Sequence, residues 1–208
     1  MSALNKKSFL TWLKEGGIYV VLLVLLAIII FQVPVLFLSL LNLSNILTQF
    51  SVRIIIALGV AGLIVTQGTD LSAGRQVGLA AVVAATLLQS MENANKVFPE
   101  MATMPIALVI LIVCAIGAVI GLVNGIIIAY LNVTPFITTL GTMIIVYGIN
   151  SLYYDFVGAS PISGFDSGFS TFAQGFVAMG SFRLSYITFY ALIAVAFVWV
   201  LWNKTRFW

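Results

Sequence analysis

The 208-residue chain is 62% hydrophobic and only 7% charged, with a mean hydropathy of +1.18. Soluble domains carry roughly 25% charged residues, so this chain lacks the polar surface that water requires and belongs in a bilayer. A net charge of +3 from nine basic and six acidic residues is too sparse for nucleic-acid binding, and the absence of histidine removes the commonest general base and metal ligand.

A membrane-crossing helix needs about 20 mostly apolar residues. The first candidate, near 17–38, is "GGIYVVLLVLLAIIIFQVPVLF", preceded by Lys6, Lys7 and Lys14. It is too long for a signal-peptide core and no small-residue cleavage site follows, so it reads as an uncleaved helix. The second and third candidates, near 53–68 and 74–91, are both short. No charge occurs from residue 101 to 154, room for two spans near 105–129 and 136–154. Pro135 in "YLNVTPF" separates them, because it lacks an N–H and disfavours helix in the residue before it. The lone cysteine, Cys114, lies in the first of the two and excludes an intramolecular disulfide. "LSYITFYALIAVAFVWVLWN", near 184–203, is the last. The expected fold is an all-α integral membrane protein with about six transmembrane helices in a single domain.

With that number of spans both termini share one face, which carries Lys6, Lys7, Lys14, Lys204 and Arg206. The other face carries Lys96 and Arg183. The basic excess makes the first face cytoplasmic, and Trp12, Trp199, Trp202 and Trp208 fall at that boundary as interfacial anchors.

One stretch, "VTQGTDLSAGRQVGLA" at 65–80, interrupts this pattern. An aspartate at the bilayer centre costs about 2.5–3.5 kcal/mol, comparable to the roughly 2–5 kcal/mol gained by the apolar residues at 54–65. Asp70 therefore belongs at the cytoplasmic boundary or facing protein or a cavity. Two readings stand. In one, Gly68 ends a helix and Thr69 or Asp70 caps the next in a tight turn. In the other, two short glycine-interrupted helices line a transport site, with Arg75 partnering Asp70 across the break.

The same stretch resembles the Gly-Gly-Ile-Asp-Leu-Ser-Val-Gly signature of membrane permeases from ABC importers for ribose, xylose and galactose. "GLVNGIIIAYLNVTPFITTLGTMIIVYGINSLYYDF" is similar to that family's next two helices and their turn. The start "MSALNKKSFL" and the loop "GASPISGFDSGFSTFAQGF" resemble its galactose/methyl-galactoside branch. Gln67, Thr69 and Ala73 depart from the wider signature, whereas Gly68, Asp70, Leu71, Ser72 and Gly74 keep it.

The resemblance implies a permease subunit in the bacterial inner membrane that moves galactose or methyl-galactoside by alternating access. It implies a second permease copy, a cytoplasmic ATP-binding subunit that holds ATP and magnesium, and a periplasmic sugar-binding protein. The permease itself would need no cofactor or metal and perform no covalent chemistry. The helix break, with Gln67, Gly68, Thr69, Asp70, Ser72, Gly74 and Arg75, would lie on the translocation path. Permeases of this family have roughly ten spans, so 1–208 is expected to be the N-terminal part of the permease domain. Without the later spans and the main ATPase-docking loop, it is expected to insert without supporting uptake.

Other features carry two readings each. Gly117, Gly121 and Gly125 form a small-residue ridge suited to helix packing, within the chain or between copies. Asn124 on that ridge suits an interhelical hydrogen bond or a sugar contact. Tyr147, Asn150, Tyr153 and Tyr154 suit interfacial anchoring, with Asn150 and Tyr153 also candidates for the substrate path. In the outer loop, Phe169, Phe172, Phe176 and Met179 recur at helical spacing, which suits a short helix on the membrane surface, packed on the helix ends or receiving the binding protein. Ser160, Pro161 and Gly164 mark its turn.

Rival functions are a permease for another monosaccharide or for branched-chain amino acids, and an ion-coupled transporter with Asp70 as coupling carboxylate. An intramembrane enzyme would need a nucleophile–base pair or metal ligands, and the sequence offers neither. Reporter fusions test the topology. Those at Phe98 and Gly164 should read periplasmic and one at Asn132 cytoplasmic; a cytoplasmic signal at Gly164 overturns it.

Overall fold

A computed structural model of the chain describes residues 16–65, 68–180 and 182–204. Lys6, Lys7, Lys14, Trp12, Gln67, Arg206 and Trp208 lie outside the described residues. The chain divides into two compact units, one from residues 16–50 with 176–185 and the other from 51–175 with 186–204.

In the first unit, α1 (Gly17–Gln32) and α2 (Pro34–Phe37) are separated at Val33. The first expected span is thus two helices, because Pro34 pushes Val33 out of helical geometry, to φ −138° and ψ 58°. Then α3 (Leu40–Val65) begins well before Arg53, where the second span was expected. Ser39 supplies the start: its Oγ accepts the Asn42 N–H at 3.1 Å, an N-cap bond. The polar run that follows is compatible with helix because its hydroxyls bond back to the preceding turn. Ser44 Oγ donates to the Leu40 carbonyl at 2.9 Å and Thr48 Oγ1 to that of Ser44 at 2.9 Å. Arg53 therefore marks no boundary; it lies exposed along a 26-residue helix.

The same unit holds a hairpin, β1 (Phe176–Met179) and β2 (Phe182–Ser185), paired antiparallel from Phe176–Ser185 to Met179–Phe182. Gly180 supplies the turn at φ +65°. Phe176 and Met179 thus leave the surface helix expected of them, and the last span begins at Tyr186 instead of 184.

The second unit contains α3 from Ser51 onward, α4 (Ala73–Leu87), α5 (Ile106–Leu131), α6 (Pro135–Phe156), α7 (Ser167–Gln174) and α8 (Tyr186–Lys204). Asn132 closes α5 in the left-handed conformation, at φ 53°, and Pro135 opens α6 at its first turn, where a missing N–H does no harm. Asp166 caps α7 by accepting the Gly168 N–H at 2.8 Å. The helix stops at Gly175, where a Cβ would run into the Thr171 carbonyl and the Tyr186 ring. Phe172 stacks on Tyr190 at 5.0 Å, joining α7 to α8, and Ser51 Oγ donates to Thr188 Oγ1 at 3.2 Å, joining α3 to α8.

Among the described residues four helices, α3, α5, α6 and α8, are long and apolar enough to cross a membrane; α1 and α4 are apolar but shorter. Small buried contacts such as Leu79, Val109 and Val146 hold the helices together, while large side chains such as Leu122 and Ile144 point outward. That is the burial expected when lipid, as apolar as leucine, is the surrounding solvent.

At one end of α4 and α6 a polar knot joins the loops. Gln89, 1% exposed, donates from Nε2 to the Ser163 carbonyl at 3.0 Å and accepts the Val97 N–H at 2.9 Å. Its own carbonyl accepts Thr103 Oγ1 at 2.9 Å. Asn93 Nδ2 adds a bond to Ser163 at 2.7 Å beside Gly164, whose φ of +74° favours glycine and where a Cβ would run into the Asn93 side chain. Replacing Gln89 by Leu leaves the part-buried Val97 N–H without its acceptor, while the Ser163 carbonyl keeps Asn93, so about 1–3 kcal/mol is lost. Gln89→Leu should therefore destabilise the protein by about 1–3 kcal/mol in detergent unfolding; an unchanged midpoint would show the knot to be ornamental.

Candidate functional site at the helix break

After Val65 the chain leaves α3, and the Gly68 N–H closes back on the Leu63 carbonyl at 2.8 Å. Four residues later Ser72 opens α4. Asp70, half-buried, acts in the turn: its Oδ1 accepts the Ser72 N–H at 2.8 Å and the Ser72 hydroxyl at 2.5 Å. A carboxylate folding back on the N–H two residues on is an Asx-type turn. The N-cap position itself is held by Ser72, whose side chain makes no cap bond, so neither Thr69 nor Asp70 occupies it. Asp70 stabilises the helix start from outside.

Ser72 is 0% exposed and connects the break to three helices. A hydroxyl has one donor and two acceptor positions, and here each has a partner. It donates to Asp70 and accepts from Gln76 Nε2 at 2.8 Å and from Asn124 Nδ2 at 3.4 Å. Asn124, 5% exposed, in turn accepts Thr142 Oγ1 at 2.5 Å. The run Thr142–Asn124–Ser72–Asp70 thus crosses from α6 through α5 to α4. Thr139 Oγ1 shares its one proton between the Pro135 carbonyl at 2.8 Å and the Thr69 carbonyl at 3.1 Å, linking the break to the start of α6. Asn124 is therefore an interhelical connector.

The partnership expected between Arg75 and Asp70 does not form. The exposed guanidinium stacks over the Tyr147 ring at 4.6 Å from its centroid, a cation–π contact between α4 and α6. Arg75 lies in the first turn of α4, and its side chain leads away from the turn that Asp70 closes. Asp70 is balanced instead by hydrogen bonds from Ser72.

Two clefts meet at Asp70. One, of about 290 Å³, is bordered by Leu63, Asp70, Gln76 and Gly117 between α3, α4 and α5. The other, of about 370 Å³, is bordered by Gly68, Thr69, Asp70, Asn124 and Thr139. The glycine ridge takes part, though differently from the close packing expected of it. A side chain at Gly117 would first meet Gln76 Oε1 at 3.9 Å, and at Gly121 or Gly125 nothing lies within 4 Å. Gly117 faces the first cleft and Gly121 and Gly125 the second, so the ridge keeps space open. Gly74 likewise has open space beside it.

The remaining expected residues are not gathered here. Tyr153 hydrogen-bonds Thr86 at 2.8 Å and borders a separate apolar groove with Leu79 and Ile149. Asn150 lies across from Gly78, its Oδ1 buried and without a partner among the described residues. Sequence reasoning missed Gln76, Thr139 and Thr142. The spacing of Ser72 and Gln76, one helical turn apart, was the available signal for the first.

The family described as branched-chain amino acid transport system / permease component matches residues 42–207. A galactose/methyl galactoside import permease protein of Salmonella typhimurium is 98% identical over the whole chain, and that of Escherichia coli is 96% identical. The chain spans 61% of the length of each. A ribose import permease protein of Haemophilus influenzae is 36% identical over 82% of the chain and 47% of its own length. No solved structure matches.

A double-mutant cycle checks the wiring. Asp70→Asn and Arg75→Gln should add in stability to within about 0.5 kcal/mol, whereas Asp70→Asn and Ser72→Ala should couple more strongly. Coupling between Asp70 and Arg75 of more than about 1 kcal/mol would restore the ion pair.

Proposed function

The chain belongs to the branched-chain amino acid transport system / permease component family, and from that premise we propose that it is the membrane-spanning part of an ABC importer for galactose and methyl galactoside. The observation that carries the substrate is the 98% identity, over the full chain, to a galactose/methyl galactoside import permease. At that identity the walls of the path hardly differ. The family's own description refers to branched-chain amino acids, but relatives this similar carry sugar names.

In this reading the protein lies in the bacterial inner membrane with both termini cytoplasmic. A second permease copy completes the path, a cytoplasmic ATP-binding subunit supplies the energy, and a periplasmic binding protein delivers the sugar. ATP and its magnesium stay with the ATPase. The permease binds no cofactor of its own and makes or breaks no covalent bond.

The sugar passes the helix break, where Gln67, Gly68, Thr69, Asp70, Ser72, Gly74 and Arg75 border or support the path. The two clefts at Asp70 support this placement, since irregular backbone is tolerated at membrane depth only beside protein or a water-filled cavity. Asp70 sets the shape of the turn through Ser72, and Thr139 holds the turn to α6. Transport requires the clefts to open alternately, so the turn must pass between two arrangements without leaving polar groups stranded. A carboxylate that accepts from both the N–H and the hydroxyl of one residue moves with it as a unit.

The test uses a permease of the relatives' full length carrying these residues, together with its ATPase and binding protein. Asp70→Asn keeps an acceptor oxygen for Ser72 and should retain most galactose uptake. Asp70→Leu leaves the Ser72 N–H and hydroxyl unpaired, at about 1–3 kcal/mol each, and should lose most uptake at normal membrane levels. Uptake by the Leu variant equal to the parent would make the break an ordinary turn. Uptake abolished by collapsing the proton gradient at constant ATP would favour an ion-coupled transporter instead.

A further inference from the structure

Away from the helix break, where α4 and α6 end, a separate cleft of about 720 Å³ opens between the loops joined by Gln89. Gln89, Lys96 and Phe98 form one wall and Phe156, Ser160 and Ser163 the other. Lys96 is only 8% exposed. Its ammonium donates to the Met101 carbonyl at 2.5 Å and lies 2.9 Å from the Met91 sulfur, both neutral groups. Among the described residues no carboxylate pairs with it. An ammonium has three donors, so one remains, and a buried charge without an opposite charge is strained electrostatically. Gln89, by contrast, has both ends of its amide engaged within the knot.

We infer that this cleft receives an acidic side chain of the periplasmic binding protein, whose carboxylate pairs with Lys96 on docking. The inference rests on the importer reading and its orientation, which put the cleft on the periplasmic face. Charge decides the occupant: galactose is neutral and has no need of a buried cation, whereas a carboxylate completes the third hydrogen bond and cancels the charge at once. The cleft has room for a whole side chain, and the Gln89 knot keeps its walls in place before the partner arrives. Lys96 then reports docking at the end of α4 whose other end begins at Asp70 and Ser72.

Zero-length carbodiimide coupling tests the contact directly. The reagent activates a carboxylate, a touching amine displaces it to form an amide, and the reagent leaves as a urea. The full-length permease with its ATPase, in nanodiscs with galactose-loaded binding protein, should yield an amide between Lys96 and an Asp or Glu of the binding protein, read by mass spectrometry. Lys96→Met should abolish that adduct and weaken docking about tenfold or more, while Lys96→Arg should dock close to the parent. A docked parent complex without the Lys96 adduct, or a Met variant that docks as tightly as the parent, overturns the inference and leaves the importer reading intact. Failure of the parent to dock any sugar-binding protein would overturn both.

Discussion

The hydroxyl of Ser72 has no contact with solvent, and each of its three hydrogen-bonding positions has a partner. The helix break depends on that arrangement. A chain leaving helical geometry exposes backbone groups that lipid cannot satisfy, at several kcal/mol apiece. The protein solves this at one residue: Asp70 receives the N–H and hydroxyl of Ser72, and Asn124 and Gln76 bind the same oxygen from two helices. The network that satisfies the break also fixes α4 against α5 and, through Thr142, α6. Packing, polar satisfaction and the position of the carboxylate are consequences of one contact set.

This explains why the clefts survive. Helices in lipid gain nothing from hydrophobic burial against one another, so close packing of small residues is the usual means of association. Around Asp70 the hydrogen bonds supply part of that association, and the glycines of α5 are free to border open space. A ridge that elsewhere brings two backbones together here keeps them apart. The space stays open, and the polar groups beside it belong to the break and its connectors.

The opposite end of α4 uses the same economy differently. Gln89 ties two loops and its own neighbouring turn through one buried amide and one carbonyl, leaving the cleft beside it with fixed walls. Lys96 belongs to this knot by burial but not by charge, because its partners are neutral. Each end of a helix too short to count as a full span is thus governed by a buried polar side chain, Ser72 at one and Gln89 at the other. The helix between them is fifteen residues of mostly small apolar side chains.

The sequence by itself determined the solvent, the helical class and the place of the anomaly. Those follow from hydropathy, from Pro135 and from a carboxylate whose insertion cost rivals the gain of its neighbours. The signature around Asp70 also led to the family. What it did not determine were partners. The start of α3 was hidden because Ser44 and Thr48 look unfit for a membrane helix until their bonds to the preceding turn are seen. Phe176 and Met179 kept helical spacing, yet Gly175 and Gly180 turn the chain into a hairpin. Arg75 and Asp70 are opposite charges near in sequence, and only the direction of their side chains separates them. Spacing along a chain fixes which residues share a helix face; which of several polar neighbours satisfies a given group is decided by distances of a few ångströms between elements, and those exist only in the folded protein.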